Sequence, residues 1–181
     1  MWGLLVVGVV VLWGVVIYNG LIQLRVRADG AWSDINVQLK RRYDLIPNVV
    51  ETVKGYAAHE QRVFQQVTEA RSHAMQAGSP NEKASAEGLL TGALKSLFAV
   101  AENYPQLRAN ENFMGLQQSL TQIEEAVQGA RRYYNAVVRD YNTKLSVLPD
   151  RLVAGMGGFR EKEFFQLDAA EESKAPRVSF S

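Results

Sequence analysis

A chain of 181 residues with a formal net charge of +1 and both signs interspersed lacks the basic stripe of a nucleic-acid binder, so no nucleic-acid partner is expected. It contains no cysteine, which removes thiolate metal sites, thiol nucleophiles and a lipid-modified N-terminal cysteine. Pro and Gly are sparse between residues 30 and 77 and β-branched alternation is absent, so the composition predicts an all-α chain.

Residues 1–24 carry no charged side chain. The run from Trp2 to Tyr18, extended by Leu21 and Ile22, matches the about 20 residues a helix needs to cross a bilayer. A removable signal peptide would show a basic leader, a shorter apolar core and a small-residue cleavage site. Here no Lys or Arg precedes the run and Asn19-Gly20-Leu21-Ile22 is a poor site, so an uncleaved transmembrane anchor is expected. Trp2, Trp13 and Tyr18 have the amphipathic character of interfacial residues. Arg25, Arg27, Lys40, Arg41 and Arg42 follow the run, and the positive-inside rule then places the main domain in the cytoplasm. Only Arg25 and Arg27 lie close to the bilayer, so an extracytoplasmic domain stands as the alternative.

From Ile35 onward the apolar positions Leu39, Ile46, Val49, Val53, Tyr56, Val63, Val67, Ala70 and Ala74 keep steps of 3 and 4 once Arg42 and Glu60 fill the gaps. That is a coiled-coil-like seam about 40 residues long. Val50, Ala57 and Phe64 widen it to the stripe of a bundle helix. Pro47 lacks an N–H and clashes with the preceding turn, yet the seam keeps phase across it. The spacing predicts one continuous helix kinked at Pro47 and ending near Gly78, or two helices if Pro47 splits it.

Ser79-Pro80-Asn81-Glu82 reads as a restart, with a capping Ser, Pro at the first helical position and Glu at the capping-box position. The next helix carries Leu90, Ala93, Leu94, Leu97, Phe98 and Ala101 and should stop before Pro105. Gly88 and Gly92 each weaken it by about 1 kcal/mol relative to Ala; close backbone packing is the expected compensation. Asn110 caps the last long helix, expected over about 111–146, with Phe113, Leu116, Leu120, Ile123, Val127, Ala130, Tyr134, Val137, Tyr141 and Leu148 as its apolar set and Lys144 in the seam slot between the last two. Pro149 ends it. A short helix or turn follows from Arg151, then the Gly155 to Gly158 bend, and Glu163-Phe164-Phe165 can tuck against the bundle.

The domain reading is a transmembrane anchor over 1–24, a bundle over 25–150, and a C-terminal segment over 151–181 that closes in a flexible or docking tail carrying Pro176, Val178 and Phe180. The fold class is therefore all-α: an N-terminal transmembrane helix followed by an elongated antiparallel bundle of three to four helices.

Two histidines, His59 and His73, are too few for a bundle metal site, and neither stands three residues after a Glu. His59-Glu60 lacks the second His of a zinc-protease helix, and Gly155-Met156-Gly157-Gly158 follows no strand and carries no phosphate-loop Lys. Glu124 and Glu125 are adjacent and face different directions. No catalytic residue, metal or cofactor is expected. Lys40-Arg41-Arg42 with Asp44 has two readings. It could meet anionic headgroups, but a straight helix from Leu24 puts Arg41 roughly 25 Å beyond the membrane face, past the screening length of about 8 Å. The favoured reading has Arg42, in the seam, pairing with a carboxylate on a facing helix, a polar layer that fixes register. Glu60 is a second such exception, and both could equally serve a subunit interface. Trp32 and Tyr43 can pack within the bundle or cover a neighbour. Tyr134 and Tyr141, seven residues apart, share one face as ordinary core tyrosines or as an interface.

The strings Tyr18-Asn-Gly-Leu-Ile-Gln-Leu-Arg25, Ala31-Trp32-Ser33 and Val37 through Glu60, with Tyr104 through Phe113, Ala130-Arg-Arg-Tyr-Tyr-Asn135, Leu152-Val-Ala-Gly155 and Pro176-Arg-Val-Ser-Phe180, resemble the LemA family over nearly the whole chain. Asn36 departs from the Asp common there, and Leu148 from a common Phe. The resemblance implies a bacterial protein of the cytoplasmic (inner) membrane, single-pass, with a helical-bundle domain and no established catalytic activity. A related branch takes part in forming magnetosome membrane vesicles, and members are often encoded beside a membrane metalloprotease. The chain is accordingly expected to be a membrane-anchored scaffold that self-associates and organises membrane or membrane proteins, with the bilayer and its own copies as partners. The alternative is a regulatory adaptor of a membrane protease or sensor in envelope quality control.

Overall fold

The computed structural model describes residues 2–166. Among them every regular element is a helix: α1 (Trp2–Lys54), α2 (Gln61–Gln76), α3 (Pro80–Glu102), α4 (Pro105–Arg108), α5 (Glu111–Ser146) and α6 (Asp150–Met156). The described residues divide into two compact units, one from residues 2–37 and 127–164, the other from residues 38–126 with 165 and 166. α1 passes the expected anchor boundary at residue 24 without a break.

In the second unit α1 continues through Pro47, which lies inside the helix with its side chain exposed. The expected continuous helix up to Gly78 is not formed. α1 stops at Lys54 and the chain turns through residues 55–60, where the backbone N–H groups of Gly55 and Ala57 bond back to Glu51 and Val53. Gly55 is the physical reason, since a glycine lowers helix preference where the chain can turn. Apolar phase alone could not reveal this, because Val53 before the turn and Ala57 within it are both fully buried. α2 folds back on α1, with Arg71 Nε donating to the Tyr43 carbonyl at 2.8 Å. The bundle thus gains its fourth helix at Gly55 and not at Pro47.

α3 starts as its sequence predicts. Ser79 Oγ accepts from the Glu82 N–H at 3.2 Å, Glu82 accepts from the N–H groups of Ser79 and Gly78, and Pro80 opens the helix. Those backbone donors hold the Glu82 carboxyl below its ordinary range. Gly88 and Gly92 are exposed, and a Cβ on Gly92 would meet nothing within 4 Å. At Gly92 the expected close packing is therefore not formed among the described residues. α4 is a single turn that the sequence reading left out, seated by the fully buried Leu107. Asn110 Oδ1 accepts from the Phe113 N–H at 3.0 Å and caps α5. Leu90, Leu97, Val49, Val53 and Val67 fill the core.

In the first unit the early part of α1 pairs with the later part of α5. Ile17, Leu21 and Ala154 form a buried cluster, against which Leu145, Val153 and Phe159 pack. The apolar side chains from Trp2 to Val16 are all exposed. α1 is the one helix among the described residues long and apolar enough to cross a membrane. After α6 the chain reverses at Gly157 and Gly158. A Cβ on Gly157 would lie 2.6 Å from the Phe159 ring, and Gly158 takes a φ of 67°, the left-handed region that favours glycine. Residues 159–164 then run as a strap over α1 and α5.

Candidate functional site

The second unit is organised around a buried polar layer. The reason it forms is visible in the apolar stripe of α3: stepping back from Leu97, Leu94 and Leu90 by the same spacing reaches Glu87 and Lys83, so helix geometry carries both charges into the core. Arg42 reaches the same level from α1 and is only 5% exposed, against 7% for Glu87 and 8% for Lys83. Charges that deep must be paired, because unpaired they would neutralise or unfold the site.

The pairing is dense. Arg42 Nη1 donates to Glu87 Oε2 at 2.6 Å, while Nη2 donates to Thr91 Oγ1 at 2.9 Å and lies 3.0 Å from Glu124 Oε2 on α5. Tyr43 Oη donates to the other Glu87 oxygen and lies 3.3 Å from the Ala74 carbonyl. Lys83 Nζ donates to that carbonyl at 3.1 Å, satisfying a group at the C-terminal end of α2. Side chains of α1, α3 and α5 and backbone of α2 thus meet in one layer, with two cations opposite two carboxylates. Burial raises the Tyr43 hydroxyl well above its ordinary value, with the bond and charge of Glu87 adding and Arg42 opposing. Burial lowers Lys83 while Glu87 pulls it back. A phenol held protonated and a guanidinium saturated by oxygens offer neither a base nor a nucleophile.

Beside the layer lies a cavity of about 450 Å³, with Arg42, Lys95, Phe98, Gln117 and Glu124 in its wall. No group of three or more metal-capable side chains occurs among the described residues. His59 sits exposed in the turn before α2 and His73 exposed on α2.

The first unit holds a different constellation. Trp32 and Tyr134 rings lie 5.4 Å apart at 47°. Tyr134 Oη donates to the Glu163 carbonyl at 2.8 Å. Asn142 grips the strap twice, donating to the Lys162 carbonyl at 2.9 Å and accepting from its N–H at 3.0 Å. Lys162 Nζ closes on Asp29 at 2.7 Å. Burial, followed by the charges of Glu163 and Asp29, pushes the Tyr134 hydroxyl up to about 12. Tyr141 is buried beside α1 and is also raised, mainly by desolvation.

Of the residues singled out from the sequence, Arg42 and Tyr43 enter the polar layer, while Trp32 joins Tyr134 in the first unit. Arg41 and Asp44 point to solvent. Glu60 occupies no helical seam: it is the residue before α2, part of the turn, and makes no side-chain capping bond. This corrects its reading as a second polar exception. Pro176, Val178 and Phe180 lie outside the described residues. Sequence reasoning missed Lys83, Glu87 and Thr91, although the phase of the α3 stripe was the signal that could have found the first two. Glu124, beside Glu125 in sequence, gives no sign in the residues of the ion pair it makes with Arg42.

The LemA family is the family whose model matches this chain, over residues 31–180. The chain is 25% identical over 175 residues to magnetosome protein MamQ 2 of Paramagnetospirillum magneticum, covering 82% of this chain and 64% of that protein. It is 24% identical over 174 residues to magnetosome protein MamQ of Magnetospirillum gryphiswaldense, with the same coverage, 82% and 64%. Protein LemA of Metamycoplasma hominis is 25% identical over 131 residues, 70% of this chain and 58% of that protein. The chain thus spans less than two thirds of the length of each of these relatives. None of the matched names denotes an enzyme.

Proposed function

The chain belongs to the LemA family, and on that premise we propose that it is a non-catalytic, membrane-anchored scaffold whose helical domain self-associates to organise membrane or membrane proteins. The observation that carries this reading is the run from Trp2 to Val16, whose large apolar side chains are all exposed. Such a surface needs an apolar solvent, and its helix is long enough to find one in a bilayer. Arg25 and Arg27 at its end favour a cytoplasmic domain. The polar layer supports the non-catalytic part, because its charges are spent on one another. The likeness to proteins named for the magnetosome favours assembly into a larger structure. Confinement to two dimensions raises effective concentration, so weak lateral contacts suffice.

Chemical crosslinking in native membranes tests the proposal. A ladder of the chain with itself is the expected result. A single heterologous band would replace the scaffold with the one-to-one adaptor of a membrane protease or sensor.

A further inference from the structure

The face that α6 turns away from the protein has no packing role. Val153 and Ala154 press on the Ile17 and Leu21 cluster, whereas Leu148 is 72%, Leu152 65% and Met156 92% exposed. Leu152 and Met156 stand four apart on α6 and so share one side, and Leu148 lies in the turn just before the helix. A short helix apolar on two faces has no comfortable place in water; surfaces of this kind mark a protein or membrane contact.

The level at which α6 sits on α1 chooses between those. The uncharged run of α1 gives way at Arg25, and with 1.5 Å per residue Ile17 lies only about 12 Å before that first charge. α6 is therefore packed on the last turns of the apolar run. A groove of about 540 Å³ opens between the two helices, lined by Val10, Trp13, Gly14, Leu152 and Met156. Its lining continues without a break into the exposed apolar surface of α1. The charges nearby suit a shallow position. Asp150 is paired with Lys144 at 3.3 Å, Arg151 and Arg160 are exposed, and Arg25 lies 5.7 Å from the centre of the Phe159 ring.

We infer that α6 is a second membrane contact. Leu148, Leu152 and Met156 enter the boundary between headgroups and acyl chains beside α1, an acyl chain fills the groove, and Arg25, Arg151 and Arg160 meet anionic headgroups. The inference rests on the reading of α1 as an anchor. Two contacts in place of one restrain the first unit against tilting about α1, which gives every copy in a membrane the same presentation.

The cysteine-free chain makes the test direct. Single substitutions Leu152→Cys, Met156→Cys, Val10→Cys and Leu89→Cys, all at exposed positions, are labelled with an environment-sensitive fluorophore. The full chain is reconstituted at low density into phosphatidylcholine vesicles containing phosphatidylglycerol. Labels at 152 and 156 should emit at shorter wavelength than the label at 89, be quenched by nitroxides placed shallowly on lipid chains, and resist aqueous iodide. The label at 10 should respond to deeper nitroxides. Iodide quenching at 152 and 156 equal to that at 89, with 10 still in lipid, overturns the inference and leaves the anchor standing. Shielding from both iodide and lipid nitroxides overturns it in favour of a protein partner or second copy. A label at 10 that is open to iodide overturns anchor and inference together.

Discussion

The two units handle polarity in opposite ways. In the second unit Arg42, Glu87 and Lys83 lie inside: Arg42 and Glu87 close on one another and on Thr91 and Tyr43, and Lys83 on the Ala74 carbonyl. In the first, buried side chains such as Tyr134 reach for the backbone of the strap, the ion pair of Lys162 with Asp29 stays outside, and the large apolar surface faces outward. The difference separates a unit that closes its buried charges within itself from one that, on the proposed reading, is complete only in contact with an apolar solvent. On the proposed function it also separates stability from address: we propose that the polar layer sets register and the apolar run sets position.

The comparison breaks most visibly at Arg42. Arg42→Ala strands Glu87 without its cation and should cost the second unit about 3–5 kcal/mol in chemical denaturation. Replacing Arg42 and Glu87 together by Met should recover most of that loss, since the pair is costly chiefly when halved. A loss under about 1 kcal/mol for the single change would contradict a structural role for the layer. The corresponding break in the first unit is smaller. Asn142→Ala removes both bonds to Lys162 and should cost about 1–3 kcal/mol, read as faster tryptic cleavage at Arg160 and Lys162. Unchanged cleavage would mean the strap is held by something else.

Alkaline pH sharpens the contrast further. The Tyr134 hydroxyl moves from 10.0 to about 12 on folding, so the unfolded chain loses its proton first. The stability this group contributes is complete below pH 10 and is lost as pH rises from 10 to about 12. Tyr134→Phe should remove that part of the alkaline slope in a denaturation series, and an unaltered slope would assign it to other tyrosines. The smallest effect is expected at Gly92, in the second unit but outside its polar layer. Gly92→Ala meets no neighbour and should stabilise by about 1 kcal/mol through helix propensity alone. Destabilisation there would mean a contact that the structure lacks.

Much of this was legible in the residues, because local chemistry wrote it. The absence of charge before Arg25, the Ser79 to Glu82 capping box and the Asn110 cap are each decided within a few positions. Arg42 stood out as a charge in an apolar seam. Its partners did not, because Glu87 and Glu124 lie 45 and 82 positions further along, and helical phase gives a face but not the facing helix. The turn at Gly55 was hidden for a related reason: a seam continues in phase across a turn when both sides bury the same stripe. The outward face of α6 is unreadable for the opposite cause, since Leu152 and Met156, like Leu148 in the turn before them, look like core residues until the structure shows them exposed.

The central claim, that copies of this chain act together in a membrane, is tested most directly by extracting the full-length protein from native membranes into lipid nanodiscs and imaging the particles by electron microscopy. The account predicts particles holding several copies of the helical domain on one patch of bilayer. Uniform particles with a single copy would contradict it.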